Sequence, residues 1–191
     1  LINKNDFIGI IGDSGSGKST LINVLSGLLK TNNLKIKLDN ELLKSPGLKN
    51  LFSIVQQETV ILDQNIYENI ALNFKVKTSD KKHINDLLEK VNLFSVFKEK
   101  LEEDLGENGN KISGGQKQRI GIARALFFNK KILILDESIS NLDQSNQSEI
   151  IELLNELSNL ITIIFISHNH QNLKYCNRVI EVKNGGLIEV K

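Results

Sequence analysis

A glycine-rich segment lies close to the N-terminus and reads Gly12-Asp13-Ser14-Gly15-Ser16-Gly17-Lys18-Ser19-Thr20. It fits the pattern G-x-x-x-x-G-K-[ST] without a gap. The apolar run Phe7-Ile-Gly-Ile-Ile11 precedes it and predicts a buried strand, and the residues from Thr20 onward predict a helix. A strand, a glycine-rich loop and a helix in this order are the context in which the pattern binds phosphate. The segment therefore predicts a nucleoside triphosphate site.

Each residue type in this segment has a chemical reason to be there. The glycines let backbone N–H groups of residues 12–20 converge on phosphate oxygens, and the N-terminus of the following helix adds its positive end. Lys18 is predicted to reach the β- and γ-phosphates, and Ser19 is predicted to give its hydroxyl to Mg²⁺. We therefore expect the whole of residues 12–20 to contact the nucleotide and its metal ion.

A second motif, Lys131-Ile-Leu-Ile-Leu-Asp136, is followed directly by Glu137. An almost wholly apolar strand is typical of a parallel sheet that is covered on both faces. Its C-terminal end, where ligands bind in open α/β sheets, carries Asp136, which is predicted to hold Mg²⁺. Glu137 is predicted to orient or deprotonate a water molecule that attacks the γ-phosphate. The alternative is a solvated strand end with two acidic residues.

A third motif reads Ile112-Ser113-Gly114-Gly115-Gln116-Lys-Gln-Arg119. Ser113 and Gln116 have the spacing of a capping box, which predicts a helix that begins here. Two glycines in the first turn leave backbone N–H groups bare beside a serine hydroxyl, at the positive end of the helix. The motif predicts a second phosphate-binding surface, and the alternative is a well-capped helix with flexible glycines.

Composition restricts the class of protein. The chain has 191 residues, with 24 basic and 23 acidic side chains and a formal net charge of +1, so no polyanion-binding surface and no nucleic-acid partner are expected. The single cysteine, Cys176, cannot form an internal disulfide, which favours a reducing compartment. The chain begins at Leu1 and contains no methionine, which predicts a piece of a longer protein.

The remaining segments predict an α/β fold: a P-loop core with a mostly parallel sheet, and an inserted helical subdomain. Residues 63–127 contain the lysine-rich stretch with helical spacing at Ile84, Leu87, Leu88 and Val91, and they are predicted to form this subdomain. The core is predicted at residues 1–62 and 128–191. Further expected core elements are strands at 34–38, 51–55 and 160–166, a turn at 45–48 and a helix at 145–158.

Taken together, these motifs resemble the nucleotide-binding domain of an ATP-binding cassette (ABC) protein over nearly the whole chain. Residues 112–116 resemble the signature LSGGQ of the family, with Ile112 in place of leucine. The resemblance implies that two such domains hold two ATP molecules head to tail. It also implies that Ser113, Gly114, Gly115 and Gln116 contact the nucleotide of the partner domain.

Three further positions match the family. Gln57 matches the Q-loop glutamine, which implies contact with Mg²⁺ and the attacking water, and Gln56 takes the place of the usual proline. Ser140-Asn-Leu-Asp143 matches the D-loop at the dimer interface, although Ile139 replaces the usual threonine. His168 matches the H-loop histidine, which implies contact with the γ-phosphate.

The exporter branch of the family is favoured by residues 63–70 and 104–109, which resemble exporter segments. The resemblance implies ATP hydrolysis coupled to transport, with a second nucleotide-binding domain and a fused or separate transmembrane domain as partners, at the cytoplasmic face of the membrane. It also implies first strands and an adenine-stacking aromatic residue upstream of this sequence. The alternatives are a soluble ABC-type ATPase of DNA repair or translation, and a module that binds ATP without hydrolysing it.

Overall fold

A computed structural model describes residues 1–29, 36–38, 41–43 and 50–191. The chain divides into two compact units. The first, the sheet unit, contains Leu1–Ile54, Lys130–Glu137 and Leu154–Lys191. The second, the helical unit, contains Val55–Asn129 and Ser138–Leu153. Each unit is therefore assembled from segments that are distant in the sequence.

The strands found among the described residues are β1 Phe7–Ile11, β2 Ile36–Leu38, β3 Glu41–Leu43, β4 Phe52–Val55, β5 Ile132–Asp136, β6 Thr162–Ile166, β7 Arg178–Lys183 and β8 Gly186–Glu189. Six of them form one sheet in the order β4-β5-β6-β1-β7-β8. The pairs β5–β6, β6–β1 and β1–β7 are parallel, and β8 runs antiparallel to β7. The mostly parallel sheet predicted from the sequence is confirmed. Strands β2 and β3 form a separate antiparallel pair.

The centre of the sheet is apolar on both faces, which explains its parallel topology. Every residue of β1 and of β6 is buried. The register sets Ile166 of β6 opposite both Ile10 of β1 and Asp136 of β5. The carboxyl ends of these three strands therefore meet at one edge of the sheet, where ligands bind in folds of this kind.

Among the residues that the structure describes, the helices are α1 Lys18–Leu25, α2 Ile66–Ala71, α3 Thr78–Lys90, α4 Phe94–Phe97, α5 Gly114–Phe127 and α6 Gln144–Ser158, with 3₁₀ turns at Glu107–Gly109 and His170–Leu173. The helix predicted around Ile84 from hydrophobic spacing is confirmed as α3, in which Ile84, Leu87 and Leu88 are buried on one face. Of the helices within the described ranges, none is both long enough and apolar enough to cross a membrane.

Strand β6 starts two residues later than the sequence predicts. The backbone N–H groups of Leu160 and Ile161 both donate to the carbonyl oxygen of Leu157, so these two residues close helix α6. The Leu160 side chain is exposed as a result. An apolar residue that follows a helix directly cannot be assigned to helix end or strand start by hydrophobicity alone.

Two expectations fall partly or wholly outside the described residues. The turn predicted at 45–48 lies outside them, as do the first two residues of the strand predicted at 34–38, which is found as β2 at Ile36–Leu38. The helical unit also differs in extent from the subdomain expected at 63–127, because it contains residues 55–62, 128–129 and 138–153 as well. The assignment of domains stays a prediction.

Cys176 offers a direct test of packing in the sheet unit. Its side chain is 1% exposed, and burial raises the pKa of its thiol from 9.0 to about 12. The thiolate is the reactive form, so at pH 8 we expect the folded protein to react with a thiol reagent about a thousandfold more slowly than the denatured chain. Ellman's reagent, added with and without guanidinium chloride, measures this ratio, and equal rates would mean that the thiol is accessible.

Candidate functional site

The glycine-rich loop connects the end of β1 to the start of α1 in the sheet unit. Gly12 is the residue at which the loop has least space, because a Cβ there would lie 2.5 Å from the carbonyl oxygen of Val182. Gly17 caps the helix with φ of 103°, in the left-handed region that glycine adopts without strain. The loop thus needs glycine at both ends for different reasons, one steric and one conformational.

The Lys18 side chain is held inside this loop. Its Nζ atom donates hydrogen bonds to the carbonyl oxygens of Gly12, at 2.8 Å, and Asp13, at 2.9 Å, and the residue is 6% exposed. An ammonium group has three N–H donors, so these carbonyls fix the charge while leaving donor capacity for a ligand. The loop carries a positive charge whose position is set before any nucleotide arrives.

The loop has two features that fit a bound phosphate. Helix α1 begins at Lys18, and the first hydrogen bond of the helix runs from the N–H of Leu21 to the carbonyl of Gly17. The preceding N–H groups of the first turn therefore have no carbonyl one turn earlier. In addition, the buried hydroxyl of Ser16 has no hydrogen-bond partner among the residues that the structure describes. A phosphate oxygen supplies the acceptors that these donors lack.

Asp136 and Glu137 lie at the carboxyl end of β5, in the same unit as Lys18. Burial, above all, raises the pKa of Asp136, the charge of Glu137 raises it further, and the charge of Lys18 lowers it. A carboxylate and a serine hydroxyl are the hard oxygen ligands that Mg²⁺ prefers. A cation there would also offset the repulsion between the two carboxylates, so Asp136 and Ser19 fit Mg²⁺ chemically.

Glu137 contacts His168, which follows β6. The Nε2 atom of His168 lies 2.6 Å from Oε1 of Glu137. Glu137 has φ of 49°, so its backbone is in the left-handed region that residues other than glycine rarely adopt. The two residues, 31 positions apart in the sequence, meet because β5 and β6 are adjacent and parallel.

The signature-like segment lies in the helical unit, at the start of α5. Oγ of Ser113 accepts a hydrogen bond from the N–H of Gln116 at 3.2 Å, and Oε1 of Gln116 accepts one from the N–H of Ser113 at 3.0 Å. These reciprocal bonds confirm the capping box predicted from the sequence. Ser113 and Gly114 are exposed, so the N-terminus of α5 lies at a surface of this unit.

This first turn packs against the segment that resembles the D-loop. A Cβ on Gly115 would collide with the Oδ1 atom of Asn146, and one on Gly114 would lie 3.1 Å from a methyl carbon of Leu142. Asn146 donates from its backbone N–H and its side-chain amide to the carboxylate of Asp143, which lowers the pKa of Asp143. The contact of Asn146 with Asp143 is not among the expectations from the sequence. The spacing Asp143-x-x-Asn146 is that of an N-terminal helix cap and would have predicted it.

Gln57 also lies in the helical unit. Its Nε2 atom donates to Oγ of Ser140 at 3.2 Å, so the Q-loop-like and D-loop-like segments are in contact. The site residues expected from the sequence thus fall into two groups. Residues 12–20, Asp136, Glu137 and His168 belong to the sheet unit, and Gln57 with Ser113–Gln116 belong to the helical unit.

A mostly parallel sheet with a glycine-rich phosphate loop, an acidic pair at the carboxyl end of β5 and a capped SGGQ helix defines an ATP-binding cassette ATPase domain. The family model described as ABC transporter matches residues 1–140, and the chain belongs to that family. The resemblance inferred from the sequence is thereby confirmed.

Named relatives are transport proteins. The chain is 34% identical to an ATP-dependent lipid A-core flippase of Polaromonas over 98% of this chain and 32% of the relative. It is 34% identical to an export ATP-binding/permease protein of Rickettsia prowazekii over 98% of this chain and 33% of the relative. The chain therefore spans about a third of the length of these relatives.

A solved structure has the same fold. A bacterial Atm1-family ABC exporter, solved with ATP bound, superposes with a TM-score of 0.81 at 25% identity, over 98% of this chain and 34% of that chain. The superposition and the family match agree that the chain is an ABC ATPase domain that binds nucleotide.

Proposed function

We propose that this domain hydrolyses ATP to drive an exporter-type ABC transporter, as one half of a head-to-tail ATP-sandwich dimer. The observation that carries the catalytic part is the 2.6 Å contact between Glu137 and His168, next to Asp136 and in the same unit as Lys18. This arrangement supports catalysis because a base, its orienting partner and a fixed cation are contributed by neighbouring strands of one sheet.

Each residue of the sheet unit has a proposed role toward the nucleotide. Residues 12–20 bind the phosphates through backbone N–H groups, and Lys18 contributes its positive charge. Ser19 and Asp136 hold Mg²⁺, which neutralises charge on the phosphate oxygens when bound. Glu137 accepts a proton from the attacking water, while His168 orients the Glu137 carboxylate and contacts the γ-phosphate. The rate enhancement thus comes from positioning and charge stabilisation.

The helical unit has proposed roles in the dimer. Ser113, Gly114, Gly115 and Gln116 contact the nucleotide of a partner domain, which is supported by the exposure of Ser113 and Gly114 at the positive end of α5. Gln57 contacts Mg²⁺ and the attacking water, and its bond to Ser140 supports a link between this glutamine and the dimer interface.

The transport function rests on the named relatives. They are exporters and flippases of which this chain matches about a third, which supports a transmembrane domain as a partner and the cytoplasmic face of a membrane as the location. The same names disfavour a soluble ATPase of DNA repair or translation. The filled positions of Lys18, Asp136, Glu137 and His168 disfavour a module that binds ATP without hydrolysing it.

A mixing experiment tests the composite site. Chains carrying Lys18→Ala and chains carrying Ser113→Arg are each expected to lack ATPase activity. In a mixed dimer, the intact phosphate loop of one chain faces the intact signature segment of the other. With random pairing of equal amounts we expect recovery of about a quarter of wild-type activity, since half the dimers are mixed and each has one competent site of two.

The control is a mixture of Lys18→Ala with Glu137→Gln chains. Both substitutions affect the sheet-unit side of the site, so each site in a mixed dimer keeps one defect and no activity returns. If the Lys18→Ala and Ser113→Arg mixture stays inactive while sedimentation shows mixed dimers, the head-to-tail arrangement is wrong for this protein.

A further inference from the structure

The turn that follows β6 is built around the side chain of Ser167. This residue is 5% exposed, and its Oγ atom accepts hydrogen bonds from the backbone N–H of Asn169, at 3.1 Å, and from Nδ2 of Asn172, at 3.4 Å. The same hydroxyl donates to the carbonyl oxygen of Asn169 at 3.3 Å. One donor and two acceptor positions exhaust the capacity of a hydroxyl group. Oγ of Ser167 therefore connects three polar groups of the turn, two from Asn169 and one from Asn172.

His168 sits between the residues that this hydroxyl connects. Its backbone is fixed on one side by the N–H of Ser167, which donates to the carbonyl oxygen of Ile10, and on the other by the bonds of Asn169. Its imidazole ring is exposed, so packing contributes little to the orientation of the ring. The bond from Nε2 of His168 to Glu137 therefore depends on where this turn holds the backbone.

The turn continues into an ordered polar segment. Oδ1 of Asn169 accepts from the N–H of Gln171 at 2.9 Å, and the N–H of Asn172 donates to the carbonyl oxygen of Asn169 at 3.1 Å. Asn172 is buried, at 7% exposure. The buried amide of Asn172 restricts the movement of Oγ of Ser167, because moving either group breaks their hydrogen bond in a medium of low dielectric constant.

We propose that Ser167, supported by Asn172, is a positioning residue for the hydrolysis reaction, whose hydroxyl holds the turn that places Nε2 of His168 on the carboxylate of Glu137. The inference rests on the proposed function, since it assigns Ser167 to the orientation of the proposed base. Ser167 is buried in the turn, and its proposed action is through His168.

Removing the hydroxyl breaks its two bonds to the backbone of Asn169, which follows His168, and its bond with Nδ2 of Asn172. A displacement of about 1 Å in a catalytic group can lower a rate by up to a hundredfold, and we expect kcat of Ser167→Ala to fall about tenfold. KM for ATP should change by less than about twofold, because the phosphate loop keeps its bonds. Ser167→Thr keeps a hydroxyl and should retain most of the activity, with Ser167→Cys between the two.

Two comparisons separate positioning from general destabilisation. Ser26→Ala is the matched control, because Ser26 is also 5% exposed, lies in the same unit and donates from its hydroxyl to a backbone carbonyl, that of Asn23. It should leave kcat unchanged. In a His168→Ala background, Ser167→Ala should lower kcat by less than about twofold further, because residues that act through one another are not additive.

A readout that needs no nucleotide comes from nitrogen NMR of the protein labelled with ¹⁵N-histidine. The sequence given contains three histidines, His83, His168 and His170, which keeps the assignment simple. At a pH of about 9, where an ordinary imidazole is neutral, a hydrogen bond from Nε2 of His168 to Glu137 fixes the ring proton on Nε2. The two ring nitrogens should then have well-separated shifts. In Ser167→Ala the two shifts should move toward each other, while those of His83 stay in place.

The outcomes are separable. A wild type that does not hydrolyse ATP overturns the proposed function. A wild type that does hydrolyse it, with Ser167→Ala unchanged in kcat and in the His168 shifts, overturns the role of Ser167 alone. An equal loss from Ser167→Ala with and without His168 also overturns it. If circular dichroism shows that Ser167→Ala does not fold, the kcat values of Ser167→Thr and Ser167→Cys are compared instead. The proposal expects the threonine variant to be the more active, and equal kcat values contradict it.

Discussion

Substitution of Glu137 by glutamine is expected to lower kcat for ATP hydrolysis by about 10²- to 10⁴-fold while the Kd for ATP stays within about threefold of the wild type. Glutamine keeps the shape of the side chain and an oxygen that can accept from His168, but the amide cannot take a proton from water. Steady-state turnover and equilibrium binding of ATP measure the two effects. A dimer that depends on ATP should also persist longer and become easier to detect by sedimentation.

The matched control is Glu156→Gln, which makes the same chemical change at an exposed position of helix α6 in the same unit. It should alter neither turnover nor binding. If Glu137→Gln hydrolyses ATP at the wild-type rate, Glu137 has no part in proton transfer. If Glu137→Gln instead loses ATP binding, its main role is in the ground-state complex.

Replacement of Lys18 by alanine is expected to act on affinity. The ammonium group is held in place by the carbonyl oxygens of Gly12 and Asp13. A hydrogen bond from this charged group to a phosphate oxygen would contribute about 1.5–3 kcal/mol to ATP binding. We therefore expect the Kd for ATP to rise about 10- to 100-fold, as isothermal calorimetry would measure. We expect turnover at saturating ATP to be lost as well, because the same charge is proposed to stabilise the transferred phosphoryl group.

The control for Lys18→Ala is Lys4→Ala, which removes the same charge from an exposed position of the sheet unit. Its Kd for ATP should equal that of the wild type. Because the loop carbonyls also lose their partner in Lys18→Ala, thermal unfolding must show that this variant is folded. A folded Lys18→Ala protein with wild-type affinity would show that the backbone N–H groups alone bind the triphosphate.

Local chemistry accounts for the parts that sequence reasoning predicted well. The capping box of Ser113 and Gln116 joins residues three positions apart, so its spacing alone fixes its geometry. The apolar run before Asp136 likewise determines a buried parallel strand without reference to the rest of the chain. The roles of residues 12–20 toward ATP and of Ser113–Gln116 toward a partner follow from these motifs and stay predictions.

Contacts between distant segments could not be predicted in the same way. The 2.6 Å approach of His168 to Glu137 depends on the pairing of β5 with β6, which no local pattern encodes. In the sequence, Ser167 is an ordinary polar residue at a strand end. Its hydrogen bonds with Asn169 and Asn172 are evident only in the folded turn. Hydrophobicity alone predicts a start of β6 that is two residues too early, because Leu160 is apolar like a strand residue but its N–H is bonded as at the end of a helix.

The left-handed backbone at Glu137 has a practical consequence. Residues other than glycine lose about 1–2 kcal/mol in this conformation, so glycine at position 137 would relieve a local cost. It would also remove the carboxylate. If Glu137 is the proposed base, a directed-evolution screen that rewards heat tolerance alone would enrich inactive variants with substitutions at 137. Engineering for heat tolerance therefore has to measure ATP turnover in the same assay.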